Sequence, residues 1–428
     1  MVSAGQVWIA TIGMGLALGC GSATDQPAPA AATVPPLSRD DVLSGFLGKH
    51  WPPLPLPLQG PPPPEFTSVE ASLDPQTCGA CHPQQYADWR TSLHAAAYSP
   101  GLSGQLVEGA LAHPAEVRNC LSCHTPLGEQ QPYAAALRPE PAFDPGLREQ
   151  GIVCASCHVR AHRRYGPPRR GVPLPEGAVL PHGGFEARTE FQQGSFCAPC
   201  HQFFDDAGVA GKPLENTWAE WAASRHAREG RTCQSCHMPD RRHLWRGIHD
   251  PDMVRAAVAV ELADVRGAGR SAWAELRITN RDVGHRFPTY TTPRVFAALW
   301  QADAQGREIE GTRVEAVIAR QIDFSTSPWQ ESFDTRVAPD ETLVVPYQVV
   351  PASPAVQLVG RVTVDPDHHY RGVFASLLGE LESEEARDRI AQAARDVAES
   401  AFLLAERTLS IGPAGARGEA PEAPGTPR

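Results

Sequence analysis

Five times in this chain a Cys-x-x-Cys is followed directly by His: Cys78/Cys81/His82, Cys120/Cys123/His124, Cys154/Cys157/His158, Cys197/Cys200/His201 and Cys233/Cys236/His237. No other feature constrains the fold as much. Two intervening residues put both thiols on one turn of backbone, and the next residue points an imidazole at whatever the thiols hold. This is the attachment signature of c-type haem, whose two vinyl groups take up the two thiols. The competing reading is structural zinc, which Cys-x-x-Cys also serves. Zinc, however, does not need His immediately after every pair. The expectation is five covalently bound c-type haems, with the five motif histidines as proximal iron ligands.

Of 11 cysteines the motifs take ten, which leaves Cys20 and no thiols for a disulfide framework. Residues 7–19 form an apolar run without charge that ends at Gly19-Cys20. The run is too short to span a bilayer and reads as the core of a secretory signal peptide. Cys20 after a small residue resembles a bacterial lipoprotein cleavage site, so Cys20 is a lipidation candidate and acyl chains the expected membrane anchor. A plain signal with an incidental Cys is the alternative, because no Lys or Arg precedes Trp8 and Ala17 stands where Leu is usual. Either reading makes the chain exported, to the periplasm or as an outer-membrane or cell-surface lipoprotein. The formal charge of −11 argues against a nucleic-acid partner.

Residues 21–65 are rich in Pro and Ala and read as a semi-extended tether, with a short helix or disorder at Asp40 to Leu47. Residues 66–252 hold all five motifs. The motifs lie within the 160 residues from 78 to 237, 32 for each. That is too little chain to build a conventional core around each porphyrin, so the haems themselves must be the core. Beyond Met253 the texture changes. Val254–Val265, Ala272–Asn280, Arg294–Ala302, Thr312–Ile322, Glu341–Val350 and Val356–Val364 read as strands separated by Gly, Pro and Asp. They predict an antiparallel β-sandwich over 253–375. Residues 376–410 are expected to carry an amphipathic helix from Glu382 to Leu409, with Ile390, Ala393, Val397, Phe402, Leu403 and Leu404 inward. Residues 411–428 form a disordered tail. The expected fold class is mixed: a loop-rich, mainly helical pentahaem domain followed by an antiparallel β-sandwich and a C-terminal helix.

One internal repeat stands out. Tyr86-Ala87-Asp88-Trp89-Arg90-Thr91-Ser92-Leu93-His94-Ala95 matches Trp218-Ala219-Glu220-Trp221-Ala222-Ala223-Ser224-Arg225-His226-Ala227 in the pattern aromatic-Ala-acid-Trp-x-x-Ser-x-His-Ala. Both copies read as helices. The duplication marks His94 and His226 as distal ligand candidates rather than surface histidines. Methionine is scarce, so bis-His ligation is the economical reading. His182, between Pro181 and Gly183, His243 and His249 after the fifth motif, and His285 in Gly284-His285-Arg286-Phe287-Pro288 complete the distal candidates. His113 and His162 rank below them. His50 and the His368/His369 pair are expected not to ligate.

These segments resemble the bacterial multihaem c-type cytochromes of the cytochrome c-554 and c-552 type. The resemblance rests on Cys78-x-x-Cys81-His82 with Trp89-x-x-Ser92-x-His94, Cys120 to His124 with Pro126-Leu127, Phe196 to Phe203, Glu220-Trp221 through Pro239, and Gly284 to Thr289. The last looks like a stretch of larger relatives with a C-terminal β-domain. The resemblance covers roughly residues 70–375. It implies stacked bis-His haems relaying electrons, with an occasional five-coordinate haem. The fifth motif and the sandwich depart from tetrahaem members, so partners are not carried over. Other cytochromes and quinol-linked or terminal enzymes are the expected class. Two alternatives to an electron carrier stand. One is a reductase of nitrite, hydroxylamine or a sulfur oxyanion at one open haem; no Cys-x-x-Cys-Lys supports it. The other is a subunit of a surface haem filament.

Overall fold

A computed structural model describes residues 37–411, apart from 113, 133–142, 172–176, 178–179, 205, 207, 266–271, 351 and 353. The expected signal peptide, Cys20, the tether up to residue 36, His113 and most of the C-terminal tail lie outside the described residues.

Prolines and short polar caps cut the motif-bearing region into brief helices. Asp74 caps Pro75–Gly79 through the N–H of Gln76, and Asp144 caps Pro145–Arg148 through the N–H of Leu147. Longer pieces are Pro100–Ala112 and Pro114–His124. Apolar packing here is divided among small clusters: Trp89, Leu127, Leu147, Val153, Ala155 and Val159 in one, Tyr98, Val117 and Leu121 in another. No helix among the described residues is long and apolar enough to cross a membrane.

The stretch read as a tether is ordered from residue 37. Helices Arg39–Val42 and Phe46–His50 bury Val42, Leu43, Leu47 and Trp51 against Phe191, Phe196 and Ala198. Pro and Ala dominate the composition, but four apolar side chains within ten residues are enough to dock it.

The second half holds two antiparallel sheets. One runs Thr342–Val349, Ala272–Asn280, Val258–Val265; the other runs Phe402–Ser410, Gln357–Asp365, Arg294–Ala302, Val314–Ile318. Leu276, Ile278 and Val260 of the first share one core with Val295, Leu299, Leu358, Val362 and Leu404 of the second. A two-stranded ribbon, Arg320–Asp323 with Gln330–Asp334, stands beside them.

Three expectations need correction. The first strand begins at Val258, because Asp250-Pro251 caps a helix over Pro251–Ala257. The expected Thr312–Ile322 strand is divided into Val314–Ile318 and Arg320–Asp323, which join different sheets. The expected C-terminal helix ends at Val397, and Phe402–Ser410 is a strand paired with Gln357–Asp365. Phe402 and Leu404, and beyond a bulge Ala405, Leu409 and Ile411, follow a period of two, and Leu404 gains a place in the sheet core. His368–Glu380 forms a helix the sequence reading left out. The Glu384–Val397 helix meets Pro100–Ala112 at Gly104, where an added Cβ would lie 2.9 Å from the Ile390 side chain. This contact folds the C-terminal helices back onto the motif region.

Candidate functional site

Each motif folds as a single turn. The His82 N–H donates to the Cys78 carbonyl at 2.9 Å and the His201 N–H to the Cys197 carbonyl at 3.1 Å. Cys154–His158 and Cys233–His237 are one-turn helices in their own right. None of the ten motif cysteines is taken up by a disulfide. All five motifs line one continuous cavity of about 3170 Å³, several times the ~300–1,000 Å³ of an ordinary ligand pocket. Its apolar walls and ten motif cysteines fit a set of covalently held porphyrins.

The thiols of different motifs also meet. Cys78 lies against Cys154, Cys123 against Cys200, and Cys197 against Cys233. Motif one is therefore next to motif three, and motif four is next to motifs two and five.

All six distal candidates line the same cavity, whereas His50, His162, His368 and His369 are absent from its wall. Three imidazole pairs face each other across it. Ring centres are 6.5 Å apart for His94 and His201, 6.2 Å for His158 and His243, and 6.4 Å for His237 and His285. With metal–nitrogen bonds of about 2.0–2.1 Å and each nitrogen about 1.1 Å from its ring centre, two imidazoles on opposite sides of one metal have centres about 6.3 Å apart. All three pairs have the spacing of two ligands on one iron.

Hydrogen bonding divides the histidines further. Nδ1–H donates to a backbone carbonyl in His124 (Ala97, 2.7 Å), His158 (Tyr165, 2.7 Å), His237 (Arg246, 2.5 Å), His243 (Arg241, 3.0 Å) and His285 (Arg286, 2.9 Å). His182 does the same to Gly184 at 2.8 Å. This fixes the tautomer that leaves the Nε2 lone pair free for iron. Desolvation holds His158, His201 and His285 down at about 4 and His94 at about 3, so the neutral, ligating form prevails near pH 7.

Nε2 is engaged elsewhere in His50 (Cys157 carbonyl, 2.8 Å), His162 (Gly60 carbonyl, 2.9 Å), His226 (Asp282, 3.0 Å) and His249 (Asp367, 3.1 Å). Two of the six candidates, His226 and His249, thus have their Nε2 on carboxylates. The repeat placed His226 beside the cavity but could not show Asp282, 56 residues on, closing its ring.

His201 differs from the other motif histidines. Its Nδ1 meets the Tyr290 hydroxyl at 2.9 Å, and that hydroxyl is bonded in turn to Glu215. Burial pushes the Glu215 carboxyl up to about 8 and the Tyr290 phenol well above its usual range. Sequence reasoning missed both residues, and no local pattern marks them.

Residues 77–159, which span the first three motifs, match the model of a family described as cytochrome c554 and c-prime. No curated protein matches the sequence. Among solved structures, a penta-heme cytochrome c552 from Thermochromatium tepidum is similar in fold, with 20% identity, a TM-score of 0.55, and coverage of 80% of this chain and 100% of that one. The family match on the first three motifs and the likeness in fold together support a multihaem c-type cytochrome of the cytochrome c554 type and, in general terms, electron transfer.

Proposed function

We propose that the protein is an exported pentahaem electron carrier whose irons are held mainly by paired histidines. Three facing imidazole pairs at 6.2–6.5 Å carry this reading: His158 with His243, His201 with His94, and His237 with His285. His182 is assigned to His82 by neighbourhood. Its backbone N–H donates to Glu70, whose own carbonyl accepts from Arg164, a guanidinium close to Cys78. Bound haem supplies the one-electron iron couple, and the chain fixes spacing and potential. The thiol contacts support an order in which site one adjoins three and site four adjoins two and five. Cys157 also lies close enough to Cys197 and Cys200 to act on their thiols, which connects site three to site four. The expected partners are redox proteins. Export by the apolar leader, with Cys20 as a lipid anchor, belongs to this proposal.

One observation favours a second reading alongside the first. Among the described residues, no imidazole faces His82 or His124 at the spacing of the three pairs; His182 is the neighbour of His82, whereas no cavity histidine with a free Nε2 remains for His124, although its Nδ1 is fixed for ligation. An iron there would keep one position for a small ligand, as a reductase of a nitrogen or sulfur oxyanion requires. We expect a CO difference spectrum of the dithionite-reduced holoprotein to show an adduct on one haem in five. Adducts on two or more would sink the paired-histidine assignment, and none would remove the open site.

Tyr290 provides a second check. Its hydroxyl, itself bonded to Glu215, accepts from His201 and strengthens that imidazole as a donor, which favours ferric iron. Tyr290→Phe is expected to move one of five midpoint potentials to a more positive value in a spectroelectrochemical titration and leave the other four in place. Unchanged potentials would reject the relay.

A further inference from the structure

The two copies of the repeat make the same bonds in the same places. In the first, the Trp89 Nε1–H donates to the Ile152 carbonyl at 2.7 Å, and the Ile152 N–H donates back to the His94 carbonyl at 2.9 Å. In the second, the Trp221 Nε1–H donates to the Arg231 carbonyl at 2.9 Å, and the Arg231 N–H donates back to the His226 carbonyl at 2.8 Å. Ile152 and Arg231 each lie two residues before the first Cys of a motif, Cys154 and Cys233. The internal turn is shared as well: Ser92 and Ser224 donate N–H to Trp89 and Trp221, and their hydroxyls accept from Ala95 and Ala227, both at 3.4 Å. Each repeat therefore clamps the backbone that enters the third or the fifth motif.

The acid of each repeat reaches to the opposite side of the same site. Asp88 Oδ2 accepts the backbone N–H of His243 at 3.0 Å, and Arg242 grips both of its oxygens at 2.7 Å. Glu220 Oε2 accepts the N–H of Arg286, the residue after His285, at 3.0 Å, and its Oε1 meets Arg336 at 3.2 Å. Both carboxylates are nearly covered: Asp88 is 3% exposed and the Glu220 side chain 9%. His243 faces His158 of the third motif, and His285 faces His237 of the fifth. One element in each copy thus ties the attachment backbone to the loop of the imidazole opposite. The first tie uses the Trp and the His carbonyl, and the second uses the acid. The copies differ in their imidazoles: His94 faces His201, and His226 is turned to Asp282.

We propose that the repeat is a duplicated frame for two haem sites, in which Asp88 and Glu220 are positioning residues that hold the loops of His243 and His285 at ligating distance. The proposal rests on the reading of those two histidines as distal ligands. A loop held by a charge-assisted contact and a backbone bond keeps its imidazole in place, and outer partners of this kind commonly alter ligand affinity by 10–100-fold when removed.

The test is CO binding to the reduced holoproteins, counted as haems that form an adduct beyond the wild-type level. D88A and E220A are each expected to add one haem in five. D88N and E220Q keep the size of the side chain and one acceptor oxygen but lose the paired charge, so they fold where the alanine variants fail and are expected to add a partial adduct at the same haem. H243A and H285A report on the ligand assignment itself. If they add no adduct, the ligand reading fails. If they do and the Asp88 and Glu220 variants do not, the frame fails. W89F cuts the tie on the attachment side, where the thiols would hold the haem covalently, and is expected to add less adduct than D88N. An equal rise in W89F and D88N would mean general loosening and would overturn the positioning role.

Discussion

A chain in which all ten motif cysteines are replaced by Ala is expected to lose its folded motif region and keep its folded β-region. The argument is one of magnitude. An unfilled cavity of about 3170 Å³ at about 24 cal/mol per Å³ corresponds to a cost of about 76 kcal/mol. Water entering the open parts cuts that figure steeply, yet even a tenth of it rivals the ~5–15 kcal/mol by which domains are stable. The clusters around the cavity cannot carry such a load, because each joins only a few buried side chains. The two sheets have a continuous core of their own, from Val258 to Leu404, that meets the cavity only at its edge, through Val254 and Phe287. Far-UV circular dichroism of the variant should show loss of helix with strand signal retained. Limited proteolysis should leave a fragment beginning near residue 250. A variant as helical and as protease-resistant as the holoprotein would show that protein contacts alone support the motif region.

Where one local rule decided the outcome, the sequence was legible. The five motifs could be read because two thiols and an imidazole must share one turn. The repeat could be read because both copies carry the same residues for the same bonds. Strands Ala272–Asn280 and Arg294–Ala302 were legible from their alternation or apolar run and their turn-rich flanks. What was hidden depends on partners distant in sequence. Nothing local distinguishes His285, held through Arg286 by Glu220, from His226, turned aside by Asp282. The docking of residues 37–51 was obscured by prolines on both sides of a few apolar side chains. The Phe402–Ser410 strand was lost because a short apolar run satisfies either period and only its partner strand settles which one.

Arg320→Met is expected to destabilise the holoprotein by about 3–5 kcal/mol, the usual effect of breaking a buried ion pair from one side. Arg320 is 1% exposed. Its Nε donates to Glu331 at 2.8 Å, and its Nη atoms donate to the carbonyls of Pro213 (2.6 Å), Val209 (2.8 Å) and Lys212 (2.9 Å). Methionine fills similar volume but leaves these acceptors short of donors in a place water reaches poorly. Lys212 still pairs with Glu331 and Asp334, so the carboxylate is not fully orphaned and the lower half of the range is favoured. For a chain of this size the midpoint of thermal unfolding should fall by about 4–6 °C. Replacing Glu331 by Leu as well should recover part of the loss, because the double variant no longer buries a half-paired charge. A change below about 1 kcal/mol would mean that the arginine is dispensable. The effect should also reach the iron sites. Arg320 joins the loop after the fourth motif to the ribbon that carries Glu331 and Asp334, and Asp334 meets Arg336, which pairs with Glu220. Glu220 holds the loop of His285, so loosening this chain of charges should raise CO binding at the fifth haem before any other as the temperature approaches the transition.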